Sequence, residues 1–189
     1  MTISVLTIIL AVLALAAAFF ILRATPAVRT YFKFRGKHLI TCPETHKPEA
    51  VDVDAKDAAL GVFFSQPTMH LDQCSRWPVR QDCGQECLQQ IEVDPENCLV
   101  WNIVSKWYGG KSCVFCHKQI GPLHHLDHAP ALLSPDSKTT EWKELRPEQL
   151  PEIFSTHRPV CWNCHVAENF RRVHPELVTD RPLEAKRLR

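Results

Sequence analysis

Two short cysteine pairs constrain this chain more than any other feature of its sequence. Cys113 to Cys116 reads CVFC, and Cys161 to Cys164 reads CWNC. A turn with this spacing can direct both sulfurs at one ion, and two such turns complete a tetrahedron of thiolates around it. We therefore expect two distant segments to meet at one metal site with Cys113, Cys116, Cys161 and Cys164 as ligands, and we expect the metal to be zinc.

The sequence around the two pairs resembles a treble-clef zinc finger. The first pair continues as CVFCHKQIG, which resembles a zinc knuckle, and a predicted hairpin follows it. Cys164 lies on the first turn of a predicted helix, where the helix dipole favours the thiolate that a metal requires. The resemblance covers residues 111–174 and implies a structural zinc ion held by all four thiols.

A histidine follows each cysteine pair, so the same residues also match the CxxCH pattern of haem attachment twice. In this respect the chain resembles multihaem c-type cytochromes. That resemblance implies a dihaem protein that transfers electrons on the outer face of the membrane. Its haem-binding residues would be Cys113, Cys116, His117, Cys161, Cys164 and His165. Of nine cysteines, four haem ligands leave an odd number, which cannot all pair in an oxidising compartment, and this favours zinc.

Four further cysteines form a second candidate site nearer the N-terminus. The segment from Cys74 to Cys87 reads CSRWPVRQDCGQEC and is rich in turn residues. Four thiols could bind a second zinc ion or an iron–sulfur cluster, or they could be plain thiols, and the spacing does not decide between these alternatives. The candidate ligands are Cys42, Cys74, Cys83 and Cys87. Cys98 is expected to be an ordinary buried thiol.

Residues 3–22 predict a transmembrane helix. They read ISVLTIILAVLALAAAFFIL, with no charge, proline or glycine. At 1.5 Å per residue this segment spans about 30 Å, the thickness of a bilayer's hydrocarbon core. A cleaved signal peptide would begin with a basic region and end at a small-residue cleavage site. Here the apolar run continues past Ala16–Ala18 to Leu22, which favours an uncleaved anchor.

The residues after the apolar segment predict its orientation. Five of them are basic, and no acidic residue occurs before Glu44. Positively charged flanks stay in the cytoplasm, so we expect a single-pass protein with its N-terminus outside and its soluble domain in the cytoplasm. Thiols in that compartment stay reduced or bind metal. The five basic residues are Arg23, Arg29, Lys33, Arg35 and Lys37.

The rest of the chain predicts an α+β fold made of short elements, each too short to be stable alone. We expect a basic juxtamembrane linker over 23–40, a cysteine-containing α+β subdomain over 41–108, a zinc-finger-like subdomain over 109–175 and a polar tail over 176–189. Predicted helices lie at 55–64, 84–92, 95–108, 147–156 and 163–173. A strand is predicted at 51–54, and a hairpin pairs 130–134 with 139–145.

Charge and motif content narrow the function. Lys and Arg number 22 against 21 Asp and Glu, a net charge of +1, which gives no electrostatic reason to bind nucleic acid. The sequence has no glycine-rich phosphate loop, no GxSxG and no HExxH, so no catalytic residue is predicted. A closed four-thiolate site also has no open position for a substrate. The leading hypothesis is a membrane-anchored, zinc-binding structural protein that docks a protein partner.

Overall fold

A computed structural model describes residues 5–64, 69–77, 79–80 and 82–178 of the 189-residue chain. The chain divides into two compact units, unit 1 over residues 1–103 and unit 2 over residues 104–189. Both units combine helices with antiparallel strands, so the predicted α+β class is confirmed. Residues 3–4 of the predicted span and residues 179–189 of the predicted tail lie outside the described residues.

The first helix, α1 (Val5–Phe34), is long and apolar enough to cross a membrane. None of its most apolar stretch is buried against the rest of the chain. Leu13, Phe20 and Leu22, for example, are all exposed. The basic stretch after the predicted span continues the same helix as far as Phe34. The apolar segment and the residues that follow it therefore form one continuous element.

The C-terminal end of α1 is fixed to unit 1 by its last turn. Phe34 is buried in the core of unit 1, and Tyr31 packs against the same core. Gly36 then reverses the chain with a φ of +109°, in the region that favours glycine. A Cβ atom at Gly36 would also lie 3.3 Å from Cδ1 of Leu99. A side chain at this position would therefore be both strained and crowded.

Unit 1 is built on a three-stranded antiparallel sheet with short helices around it. Its elements are β1 (Lys37–Thr41), β2 (Pro48–Val53), α2 (Ala55–Phe63), β3 (Leu71–Cys74), α3 (Leu88–Val93) and α4 (Pro95–Cys98). The strands pair in the order β1-β2-β3. Ile40, Val51, Leu71 and Ile91 are buried together in the core. The strand predicted at 51–54 corresponds to the end of β2, and its two neighbours were not predicted.

Local capping explains which predicted helices of unit 1 form. The Asp54 carboxylate accepts hydrogen bonds from the backbone N–H groups of Lys56 and Asp57, at 3.1 and 2.9 Å, and α2 begins there as predicted. The helix predicted over 84–92 begins only at Leu88, because Gln85 has a left-handed φ of 54°. The helix predicted over 95–108 is interrupted at Leu99, which is extended and forms a β-bridge with His38.

Unit 2 contains the second three-stranded sheet. Its elements are the end of α5 (Val100–Tyr108), β4 (Ala131–Leu133), β5 (Thr139–Glu141), α6 (Leu150–Thr156), β6 (Arg158–Val160) and α7 (Trp162–Val173). The strand order is β5-β4-β6. The predicted hairpin is the β4–β5 pair, and the helix predicted over 163–173 is α7. The Tyr108 hydroxyl donates a 2.8 Å hydrogen bond to the carbonyl of Ala131 and so ties α5 to β4.

His38 is a fully buried histidine in the sheet of unit 1. Neither ring nitrogen has a hydrogen-bond partner among the described residues. Burial lowers the pKa of His38 below its ordinary value of 6.5, and the nearby Gly36 backbone and Asp52 carboxylate offset this only in part. As the pH falls below 6.5, His38 binds a proton in the unfolded chain before it does so in the folded chain. Stability from this group is therefore present at neutral pH and is lost as the pH falls below 6.5.

We expect unit 1 to lose stability on acidification more steeply in the natural protein than in a His38→Leu variant. The loss at its steepest is about 1.4 kcal/mol per pH unit for one proton. Urea unfolding of the detergent-solubilised chain at about pH 7.5 and pH 5.5 gives the change in the free energy of unfolding with pH for each protein. Subtracting the value for the variant from that for the natural protein cancels the contribution of the other titrating groups. Equal slopes in the two proteins would contradict the assignment to His38.

Candidate metal centre

A tight turn brings Cys113 and Cys116 together. The Cys113 N–H donates to the carbonyl of Lys118 at 3.0 Å, and the His117 N–H donates back to the carbonyl of Cys113 at 2.9 Å. His117 has a left-handed φ of 58°, which lets the chain reverse after Cys116. Ser112 and Gln119 then pair as an isolated antiparallel bridge. The two cysteines therefore lie at the tip of a short hairpin-like turn.

The second pair is positioned by the junction of β6 with α7. β6 pairs with β4, with Val160 opposite Ala131, and this pairing fixes where α7 begins. Cys161 is the residue that precedes α7, and Cys164 lies in its first turn. The Val114 N–H donates to the carbonyl of Pro159 at 3.0 Å and attaches the first turn to β6. This backbone hydrogen bond helps to hold the two cysteine pairs side by side.

The four sulfurs converge on one point. The Sγ atoms of Cys113, Cys116, Cys161 and Cys164 all lie within 4.8 Å of one another. The sulfurs of Cys116 and Cys161 are 3.7 Å apart. A tetrahedral ion with Zn–S bonds of about 2.3 Å requires sulfur–sulfur distances of about 3.8 Å. The cluster could therefore hold a metal ion with little movement, as the sequence predicts.

Backbone hydrogen bonds favour the thiolate form of one cysteine in this cluster. Burial opposes ionisation of Cys113, but backbone N–H groups of Cys116, Cys161 and Phe115 donate to its sulfur and lower its pKa to about 6. For Cys164, burial and the adjacent thiols raise the pKa. The thiols cannot all ionise side by side because like charges repel one another. A divalent cation at their centre would remove that repulsion.

The two histidines that follow the pairs have different environments. His117 is exposed on the turn. His165 is buried, and its ring nitrogens contact side chains of unit 2: Nδ1 lies 3.0 Å from the hydroxyl of Thr139, and Nε2 lies 3.2 Å from Nδ2 of Asn169. No local sequence pattern indicates these partners, since they lie in β5 and in the next turn of α7. His165 thus belongs to a buried polar network next to the cysteine cluster.

The ring of His128, an exposed residue, stacks on Trp162. The ring centroids are 4.5 Å apart and the planes differ by 6°. Trp162 is the residue between Cys161 and the rest of α7, so the stack lies next to a predicted ligand. The stack therefore places aromatic surface at the start of α7. Sequence reasoning missed it because the two residues are distant along the chain.

The N-terminal cysteine set is arranged differently. Its members line one cavity of about 140 Å³ in unit 1. Within the described ranges, the cluster in unit 2 is the only group of three or more His, Cys, Asp or Glu side chains close enough to hold a metal ion. Cys87 is buried, and this burial together with the nearby Cys74, Cys83 and Cys42 raises its pKa to about 11. These four thiols therefore surround a space without closing on one ion.

Cys98 differs from the other cysteines of unit 1. It is half-buried at the end of α4, and its thiol lies 3.7 Å from the carbonyl of Gln90, which can accept a weak hydrogen bond from it. It does not line the cavity of the other four thiols. It is thus a natural control in experiments on either cysteine set.

Comparison of the whole chain with protein-family models, with curated proteins and with solved structures finds no match.

Proposed function

We propose that this chain is a membrane-anchored structural protein whose unit 2 is folded around a zinc ion. The observation that carries the proposal is the convergence of the four sulfurs of Cys113, Cys116, Cys161 and Cys164 within 4.8 Å. Zinc is the metal that a closed set of four thiolates most commonly holds in a structural site. Such a site has no open coordination position, so it stabilises the fold and does not bind a substrate.

The same convergence supports zinc over the dihaem alternative. Two haem groups would need each cysteine pair to lie beside its own porphyrin, whereas here both pairs share one site. An iron ligand at His165 would also need a free ring nitrogen facing a haem. Both of its ring nitrogens instead lie near Thr139 and Asn169.

The packing of unit 2 supports a role of the metal in folding. The core around the site contains Cys113, Ala131, Leu133 and Val160, with Cys161 and Cys164 packed against it. The strands of this core are only three residues long. Elements this short are not stable alone, and a metal that joins the turn of Cys113 and Cys116 to the start of α7 supplies additional stabilisation.

The test of the metal assignment is the composition and coordination of the purified full-length protein. We expect one zinc ion bound to unit 2 and an X-ray absorption signal of four sulfur neighbours at about 2.3 Å. Colour with covalently attached haem would contradict the proposal. So would a unit 2 without metal, or a zinc shell that contains nitrogen or oxygen ligands.

We also propose that α1 anchors the protein with unit 1 and unit 2 in the cytoplasm. The helix is apolar and uncovered over its first half, and five basic residues follow the span. We expect a fluorescent protein fused after Arg189 to fluoresce, and alkaline phosphatase fused at the same place to be inactive. The reverse pair of results would place both units outside and would contradict the orientation.

A docking role is supported by one face of α7. Val166, Phe170 and Val173 are 45%, 50% and 68% exposed, and their spacing places them on one side of the helix. Contiguous exposed apolar side chains commonly mark an interaction surface. We propose that the occupant is an apolar segment of another membrane protein, because the anchor confines unit 2 to the membrane surface.

A photo-reactive amino acid at Val173 tests the docking role in intact membranes. We expect one recurrent protein adduct, and we expect the purified partner to bind this chain directly. A Phe170→Glu change should abolish that binding, whereas an Arg171→Gln change outside the stripe should preserve it. Adducts only to lipid or to a second copy of the chain, or binding unaffected by Phe170→Glu, would contradict the role.

A further inference from the structure

A turn in unit 1 repeats the geometry of the first cysteine turn of unit 2. Residues 42–47 read CPETHK, and residues 113–118 read CVFCHK. In unit 1 the Cys42 N–H donates to the carbonyl of Lys47 at 2.9 Å, and the His46 N–H donates to the carbonyl of Cys42 at 2.8 Å. The corresponding bonds around Cys113 are 3.0 and 2.9 Å. The histidine of each turn is left-handed, with φ values of 55° and 58°.

The repeated turn directs hydrogen-bond donors at the cysteine sulfur. Backbone N–H groups of Thr45 and Glu44 donate to Cys42, as those of Cys116 and Phe115 donate to Cys113. The Arg76 guanidinium adds a further donor 3.0 Å from the Cys42 sulfur while it pairs with Glu44. Donors around a sulfur are the surroundings of a metal-bound thiolate. Cys42 therefore occupies a ligand-like position although Thr45 replaces the second cysteine of the turn.

Three other cysteines meet Cys42 around one space. Cys74 ends β3, Cys87 directly precedes α3, and Cys83 lies between them. Together with Cys42 they line the cavity of about 140 Å³, and the four thiols are close enough to interact electrostatically. A cavity of similar size can hold a molecule as large as benzene, so this space fits a group of several atoms. The sulfurs of unit 2, by contrast, all lie within 4.8 Å of one another.

A buried donor at the same cavity points to the chemistry of that group. Trp77 lines the cavity, and its indole Nε1 is buried with no hydrogen-bond partner among the described residues. An indole N–H only donates, and leaving it buried without an acceptor is unfavourable. A metal ion alone adds no acceptor to those that the cysteine sulfurs already provide. An inorganic sulfide would accept a hydrogen bond from the Trp77 indole. It would also accept hydrogen bonds from the guanidinium groups of Arg76 and Arg80, which line the cavity.

We propose that Cys42, Cys74, Cys83 and Cys87 of unit 1 bind an iron–sulfur cluster. Four cysteine thiolates are the usual ligand set of such clusters. The cluster fills the cavity, and its sulfides accept the N–H groups that lie around it. The chain would then carry two different inorganic centres, a single ion in unit 2 and a cluster in unit 1. This inference does not depend on the zinc assignment, because the two ligand sets share no residue.

Anaerobic reconstitution of the full-length protein with ferrous iron and sulfide tests the proposal. We expect a brown protein with acid-labile sulfide, and iron and sulfide in equal number. Cys74→Ser and Cys83→Ser should each remove the visible absorption and nearly all of the iron. Cys98→Ser is the matched control and should retain both. Amides of β1, β2 and β3 should be as protected in every variant as in the natural chain before reconstitution, which verifies that unit 1 still folds.

Trp77→Phe tests the role of the indole N–H separately. This variant should keep its iron but show a lower reduction potential, because one hydrogen bond to cluster sulfur is lost. The whole proposal is overturned if unit 1 takes up only zinc, or if its four cysteines form disulfides in protein purified anaerobically. It is also overturned if the cysteine variants retain as much iron as Cys98→Ser.

Discussion

Replacing Cys113 or Cys161 by serine is expected to unfold unit 2. Cys113 is fully buried at the site, and Cys161 joins β6 to α7. Structural zinc sites contribute about 10–16 kcal/mol of apparent binding free energy at neutral pH. A whole domain is stable by only about 5–15 kcal/mol, so losing even part of this contribution exceeds what the short strands can withstand. Removal of zinc by a strong chelator should have the same effect on the natural protein.

Amide hydrogen exchange with parallel zinc measurement follows this effect in the full-length chain. Amides of β4, β6 and α7 should lose their protection in Cys113→Ser and Cys161→Ser, while the sheet of unit 1 should keep its own. His117→Asn is the matched control: it lies beside the site and keeps a residue that tolerates the left-handed conformation. A Cys113→Ser protein with bound zinc and a protected β4 would show that the metal is not a folding element.

Placing two arginines in the middle of α1 is expected to remove the protein from the membrane. Leu13 and Ala17 both lie in the apolar, exposed part of the helix. Each arginine at the centre of a span costs about 2.5–3.5 kcal/mol, so Leu13→Arg with Ala17→Arg costs about 5–7 kcal/mol. At 1.4 kcal/mol per factor of ten, this shifts the insertion equilibrium by about four orders of magnitude.

Carbonate extraction of membranes, combined with intact mass measurement, reports the outcome. We expect the natural protein in the membrane pellet with its first helix uncleaved, and the double variant in the soluble or degraded fraction. A Leu13→Ile, Ala17→Leu protein is the control and should remain in the pellet, since the segment stays apolar. A natural protein that has lost the residues before about position 23 would instead identify the segment as a signal peptide.

Local sequence determined those elements whose ends are marked by nearby residues. Asp54 caps α2 through its own carboxylate, so the start of this helix could be predicted. The β4–β5 hairpin could be predicted because a proline-containing turn separates two short segments. The convergence of four sulfurs was also predictable, because two CxxC turns have few other uses.

Contacts between distant residues decided the elements that were not predicted. β6 is three residues long and contains Pro159, so it forms only because β4 pairs with it. The helix expected over 95–108 breaks at Leu99, where a bridge to His38 replaces the helical conformation. No local pattern can encode these pairings, since their stability comes from partners far along the chain.

The two cysteine sets show the same division between sequence and tertiary structure. In unit 2 each CxxC pair is a local turn, so the sequence alone predicted which four cysteines converge. In unit 1 Cys42 follows β1, whereas Cys74 ends β3 and Cys83 and Cys87 follow it, so the β1-β2-β3 sheet is needed to bring them to one cavity. The spacing of residues along the chain fixes a site built from turns, whereas strand pairing fixes a site built across a sheet.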